Sequence, residues 1–203
     1  MFSFAAKTLQ VRNGSSQGVD KRIIFHQMRN YYFGCIFLGE SHMLYQSSTQ
    51  FIDVGLESNC LTIAFNRPEA LNALRPEMLS EAAHLIEKTK SDQNVMVVVL
   101  RGAGKVFSAG VDLKVLQDIQ PDGGIIGNVF DEPAAKLATA IRDSDVPVIA
   151  RAVGACFTGA LEIALHCDFV YTTNATKFGD THTKFGLRPT WGMSQTLSRA
   201  VGQ

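Results

Sequence analysis

From Gln50 onward the apolar positions alternate between two periods. Phe51 and Val54, then Leu61, Ile63 and Phe65, recur at or near every second residue on either side of Glu57-Ser58-Asn59, which predicts a β-hairpin or two strands. Asn66-Arg67-Pro68 stops the second strand, because proline has no N–H to give to a ladder. Pro76 suits a first helical turn, and Leu79, Ala82, Ala83 and Ile86 follow helical spacing, which predicts a helix over 76–90 with Glu77, Glu81, Glu87, Lys88 and Lys90 facing solvent. Val95 to Leu100 is a continuous, valine-rich apolar run, read as a strand buried on both faces. A turn at Gly102-Ala103-Gly104, a short helix starting near Asp112 and a loop at Pro121-Asp122-Gly123-Gly124 follow. Asp131 is expected to cap a helix with Pro133 in its first turn and Ala134, Leu137, Ala138 and Ile141 as its apolar stripe. A buried strand over 146–153, a turn over 154–158, a helix over 159–166, a strand over 169–171 and a helix over 194–201 complete the series. Strands alternating with helices define an α/β fold; the order suits a doubly wound sheet and equally a stacked spiral of β-β-α turns, and periodicity does not separate the two.

Composition divides the chain. Residues 1–49 carry five basic side chains (Lys7, Arg12, Lys21, Arg22, Arg29) and two acidic ones (Asp20, Glu40), while all six prolines come after residue 67. The domains expected are therefore an N-terminal extension over 1–49, targeting or disordered, and one folded domain over 50–203. A basic, serine-containing segment is the composition of a mitochondrial transit peptide, whereas the apolar run Tyr31 to Leu38 speaks against that reading. The zero formal net charge gives no electrostatic reason to expect nucleic acid as a partner. No apolar run reaches the ~18 residues of a membrane span. Cys35, Cys60, Cys156 and Cys167 form no CxxC pair and no zinc-ligand cluster, so no metal site is expected; Cys156 and Cys167, in apolar runs, read as buried thiols.

Two turns carry candidate chemistry. Gly104 to Leu113 and Gly154 to Glu162 each follow a buried strand and lead into a helix. A helix start presents free N–H groups and a partial positive charge, and two such starts converging hold an oxygen that gains negative charge during a reaction. Each turn alone also reads as an ordinary strand–turn–helix connection. Neither matches a phosphate-binding Gly-Lys-Ser/Thr loop or GxGxxG.

In order, four motifs resemble the crotonase (enoyl-CoA hydratase/isomerase) family over about residues 50–203: Asn66-Arg67-Pro68 with Leu71-Asn72-Ala73-Leu74; Phe107 to Leu113; Val148 to Gly154 with Thr158 to Asp168; and Phe178-Gly179, Phe185-Gly186-Leu187, Pro189, Gly192 and Gln195-Thr196-Leu197. The resemblance implies a spiral of β-β-α repeats, incomplete at the C-terminus, assembled as trimers or hexamers and acting on acyl-CoA thioesters. It implies that the N–H groups of Val111 and Gly159 hold the thioester oxygen, that coenzyme A lies along Ser108, Ala109, Gly110, Asp112 and Leu113, and that Glu162 is a catalytic glutamate. No cofactor is implied, since coenzyme A is part of the substrate.

The chain departs from the family at the place of a second glutamate, which His182 occupies within Asp180-Thr181-His182. A histidine there suits proton exchange near neutral pH, or else a structural hydrogen bond to Asp180 or the backbone. His166, and Trp191 unless it lines the pocket near His182, read as structural. The expected activity is hydration or isomerisation of an unsaturated acyl-CoA, with another family reaction such as decarboxylation, or a non-catalytic CoA-binding or subunit role, as alternatives. A mitochondrial location is expected, with cytoplasmic and peroxisomal ones as alternatives.

Overall fold

The computed structural model describes residues 8–10, 45–117, 119 and 122–202. Most of the expectation for residues 1–49 thus lies outside the described residues. Of that segment, Thr8–Gln10 forms a strand (β1), and Tyr45 is buried in the core. The chain then runs β2 (Ile52–Glu57), β3 (Cys60–Phe65), α1 (Pro76–Lys88), β4 (Val97–Gly102), α2 (Leu113–Gln117), α3 (Asn128–Arg142), β5 (Val148–Ala152), β6 (Ala155–Phe157), α4 (Gly159–His166), β7 (Phe169–Thr172), β8 (Lys177–Gly179) and α5 (Met193–Val201).

The large sheet has the order β1-β7-β5-β4-β3-β2. β2 and β3 form the expected antiparallel hairpin, turning at Ser58 and Asn59, both with positive φ. β3, β4, β5 and β7 are parallel neighbours in chain order. Leu61, Ile63, Phe65, Val98, Leu100, Val148, Ala150 and Ala152 point to one face and are completely buried, with the stripes of α1 and α3 in the same core. Each large apolar side chain so buried is worth about 1.5–3 kcal/mol relative to exposure.

A second layer decides between the two topologies left open by periodicity. After each of the parallel strands β3, β4, β5 and β7 the chain makes a short extended passage before its helix. These passages pair in parallel: Leu74 with Val111, Ser108 with Cys156, and β6 with β8. The repeat is strand, cross-passage, helix, wound four times, so the fold is the β-β-α spiral and not a doubly wound sheet.

Four expectations are corrected. The strands over 95–100 and 146–153 are not buried on both faces: Met96 precedes the strand and is exposed, Val99 and Ile149 are half-buried, and Arg151 is exposed, because helices cover one side only. The 154–158 turn contains strand β6. Glu81 is buried, not solvated; its carboxylate accepts from the Ser48 N–H at 2.9 Å and from the Ser48 hydroxyl, holding residue 48 against α1. Asp131 caps nothing. The third helix starts a turn earlier, after Gly127 at φ 74°, and encloses Pro133.

Candidate functional site

The two glycine-containing turns meet. Leu74 takes the carbonyl of Gly110 and the N–H of Asp112, at 2.7 and 2.8 Å. In that alternation the N–H of Val111, the residue between, faces away from Leu74. The Ser108 N–H donates to Ala155 O and the Phe157 N–H to Ser108 O, at 3.1 and 3.2 Å, stitching the first turn to the second. The approach at Gly110 is close: φ is 102°, and a β-carbon there would stand 3.0 Å from Thr158 Oγ1. Gly159 opens α4, so its N–H is one of the four at a helix start without an intrahelical acceptor. Thr158 precedes it at φ 52°, a strained conformation for a β-branched residue, and its hydroxyl bonds Thr181 Oγ1 at 3.0 Å instead of capping the helix.

One turn into the same helix stands Glu162, only 1 % exposed. Its Oε1 accepts from the main-chain N–H groups of Trp191 and Met193 at 2.9 and 3.1 Å. Its Oε2 lies 3.4 Å from His182 Nε2. His182 Nδ1 is 2.7 Å from Asp180 Oδ1, which also accepts the His182 main-chain N–H at 2.9 Å. A carboxylate only accepts, so Nδ1 carries the proton and Nε2 faces Glu162. Burial pushes the His182 pKa down, but the Glu162 and Asp180 carboxylates outweigh it and hold it above its ordinary value of 6.5. Burial likewise raises that of Asp180, and the two hydrogen bonds and charge of His182 bring it below 3.8. The result is a line of carboxylate, imidazole and carboxylate fixed at both ends.

A cavity of about 320 Å³ opens beside the first turn, lined by Ala73, Ala109, Val111, Leu113, Thr158 and Phe185 among others. Glu162 and His182 do not line it. Thr158, which does, accepts the Glu162 N–H at its carbonyl at 3.0 Å and bonds Thr181, the neighbour of His182, through its hydroxyl.

The structure thus brings Val111, Gly159, Glu162 and His182 into one neighbourhood. Ala109, Asp112 and Leu113 stand on the cavity wall, whereas Ser108 and Gly110 are buried, the Ser108 hydroxyl accepting from Gly110 N–H at 3.1 Å. The Asp112 carboxylate has internal partners: Arg67 Nη1 at 2.8 Å and the Lys114 N–H at 3.0 Å at the start of α2. Burial works against its ionised form, yet Lys114 N–H and Arg67 bring its pKa below the ordinary carboxylate value. The motif around Asn72 acts as a bracket. Asn72 is fully buried at φ 54°, accepts from Arg67 N–H at 2.9 Å and donates to Ala103 O and Val106 O at 2.8 Å each, tying the first turn to the end of β3. Trp191 is more than core: its N–H holds Glu162, its carbonyl accepts from His166 Nε2 at 2.6 Å, and its ring lies where a β-carbon on Gly159 would be, 2.5 Å away. A lone Trp beside Pro189 and Gly192 gave no sign of this in sequence, because the contact is between segments about 30 residues apart. Among the described residues no group of three or more His, Cys, Asp or Glu stands ready to hold a metal ion, and no helix is long and apolar enough to cross a membrane.

Four β-β-α turns wound in a spiral, with two strand–turn–helix junctions meeting beside a buried glutamate, define a protein of the crotonase fold. The profile of the family described as enoyl-CoA hydratase/isomerase matches residues 55–203, and the chain belongs to that family. It is 35% identical over 156 residues to "Probable enoyl-CoA hydratase 1, peroxisomal" of Arabidopsis thaliana, covering 76% of this chain and 57% of the relative. It is 34% identical over 147 residues to the short-chain-enoyl-CoA hydratase of Clostridium acetobutylicum, covering 72% and 55%. Among solved structures, an enoyl-CoA hydratase/carnithine racemase from Magnetospirillum magneticum superposes with a TM-score of 0.70 at 29% identity, covering 77% of this chain and 59% of that one. The chain therefore spans just over half the length of the relatives it matches.

Proposed function

We propose that this chain carries the acyl-CoA site of an enoyl-CoA hydratase: water adds across the double bond next to the thioester of an unsaturated acyl-CoA. The observation that carries the reading is the buried pair of Glu162, on the helix that Gly159 opens, and His182, whose Nε2 lies 3.4 Å from its carboxylate. In this reading the thioester oxygen lies between the N–H groups of Val111 and Gly159. These two preorganised donors stabilise the enolate as it forms. Glu162 Oε2, the oxygen not engaged by main-chain N–H groups, exchanges the proton with water. His182 serves as the second proton carrier, its tautomer set by Asp180. Coenzyme A runs along Ser108 to Leu113, with the cavity at Ala109, Val111 and Leu113 receiving part of it. No group beyond the substrate takes part. Trimeric or hexameric assembly belongs to the same reading, as does a peroxisomal location in preference to the mitochondrial one, supported by the name of the Arabidopsis relative.

One observation favours double-bond isomerisation as the second reading. Glu162 is closed to solvent to within 1 %, which suits a proton that leaves and returns to the same substrate. A hydratase assay separates the two. Loss of the enone absorbance of crotonyl-CoA is expected from the wild-type chain, and Glu162→Gln lowers the rate at least ~100-fold, the usual weight of a general acid/base group. Migration of the double bond in a 3-enoyl-CoA without hydration would replace the first reading by the second. Thioester binding by folded protein with neither reaction would leave a non-catalytic binder.

A further inference from the structure

Trp191 is the single tryptophan of the 203 residues and is only 7 % exposed. Its indole N–H donates to Asp131 Oδ1 at 2.9 Å, and the same oxygen accepts the Thr190 hydroxyl at 2.8 Å. Asp131 sits in the first turn of α3 but does not cap it, and its carboxylate reaches a segment 59 and 60 residues further on. That segment has no regular structure to hold it: it runs from Leu187 to Gly192, at φ 108°, before α5 begins. Yet one of the two main-chain N–H groups that fix Glu162 Oε1 is that of Trp191 in this segment, and the other, that of Met193, directly follows it at the first residue of α5. The Trp191 ring also packs on the Cα of Gly159, at the first residue of α4.

We propose that Asp131 is a positioning residue: by tethering the Trp191 indole it fixes the 190–193 segment that aims Glu162. A carboxylate acceptor makes this the stronger kind of hydrogen bond, roughly twice a neutral one. The inference extends the proposed role of Glu162 and rests on that reading for its kinetic arm only. Phe130 packs beside Trp191, with ring centroids 6.5 Å apart, and gives the indole an apolar wall but no acceptor. Asp131 supplies the direction that packing lacks. Moving a catalytic group by about 1 Å through such a remote change costs up to ~100-fold in rate.

The test uses D131A, D131N and W191F. Trp191 fluorescence reads the tether without any activity. In folded D131A the emission shifts to the red and acrylamide quenching increases, while D131N, whose amide oxygen still accepts one N–H, stays closer to wild type. In turnover of crotonyl-CoA, D131A lowers kcat about 10-fold or more with KM changed less than about threefold, and D131N recovers most of the loss. The double variant D131A/W191F is no slower than the slower single, since the indole hydrogen bond that W191F removes is already lost in D131A. Unchanged emission and quenching in folded D131A, or independent multiplication of the two kcat effects, overturns the proposal. If D131A does not fold, W191F decides, and a wild-type kcat overturns it. A wild-type chain that turns over no enoyl-CoA defeats the proposed function instead, and the fluorescence arm still judges the tether.

Discussion

His182 shows how much a single residue's meaning depends on its neighbours. In a strand or loop it is an ordinary histidine; here Asp180 holds one ring nitrogen and Glu162 faces the other. Its pKa is raised in the folded chain, so its share of stability is fully present below its ordinary 6.5 and fades as pH rises through the folded value. Asp180 works in the opposite direction: its share is present above 3.8 and is lost as pH falls through its lowered folded value. The melting-temperature difference between wild type and H182Q is therefore expected to be greatest between about pH 4 and 6.5 and to shrink above it. Thermal melts across that range check this, and a difference that grows with pH would contradict the assigned partners. Glu162 was legible as a candidate from its place three residues after Gly159, but its two main-chain donors were not, since both come from Trp191 and Met193 across a loop.

At the scale of elements, junctions matter more than helices and strands. The apolar stripes of α1 and α3 follow from spacing alone, and every residue read into them is buried. The junctions follow from hydrogen bonds that no period announces. Asn72 is the clearest case, with three partners in two stretches of chain, Arg67 and the turn holding Ala103 and Val106. Asn72→Ala leaves buried donors and acceptors without partners, at roughly 1–3 kcal/mol for each such group. A drop of at least about 2 kcal/mol in denaturant midpoint analysis is expected, with an unchanged m-value. Retained stability would show that water replaces the amide. Pro133 teaches the opposite lesson. Proline favours a first turn but does not require it, and the early start at Gly127 lets α3 bring Phe130 into the core and Asp131 to Trp191.

For the whole molecule, the interior is a continuous apolar core that also contains Cys156 and Cys167. Burial pushes the Cys156 thiol up to about 12 and raises that of Cys167, so neither presents a thiolate at neutral pH. Alkylation followed by peptide mapping is expected to mark both only after global unfolding. Labelling of either in native conditions would reveal a local opening of the β6–α4 layer. The same core explains why the spiral holds its site: each turn buries its cross-passage against the next, so the two helix starts cannot move apart without breaking the Ser108–Cys156 pairing.

Sequence by itself determined the alternation of strands and helices, the apolar stripes and the order of the motifs, because these depend on neighbours within a few residues and on the periods of 2 and 3.6. It also named Val111, Gly159, Glu162 and His182. The motif resemblance also implied the β-β-α spiral, which periodicity left open and the pairing of the cross-passages bears out. Only the tertiary structure decided that Glu81 and Asp131 serve distant segments instead of solvent or a cap, and that Trp191 links the glutamate to the first residue of its own helix. Those outcomes are set by hydrogen bonds and ring contacts between residues tens of positions apart, and a carboxylate or an indole looks the same in sequence whichever partner the fold delivers.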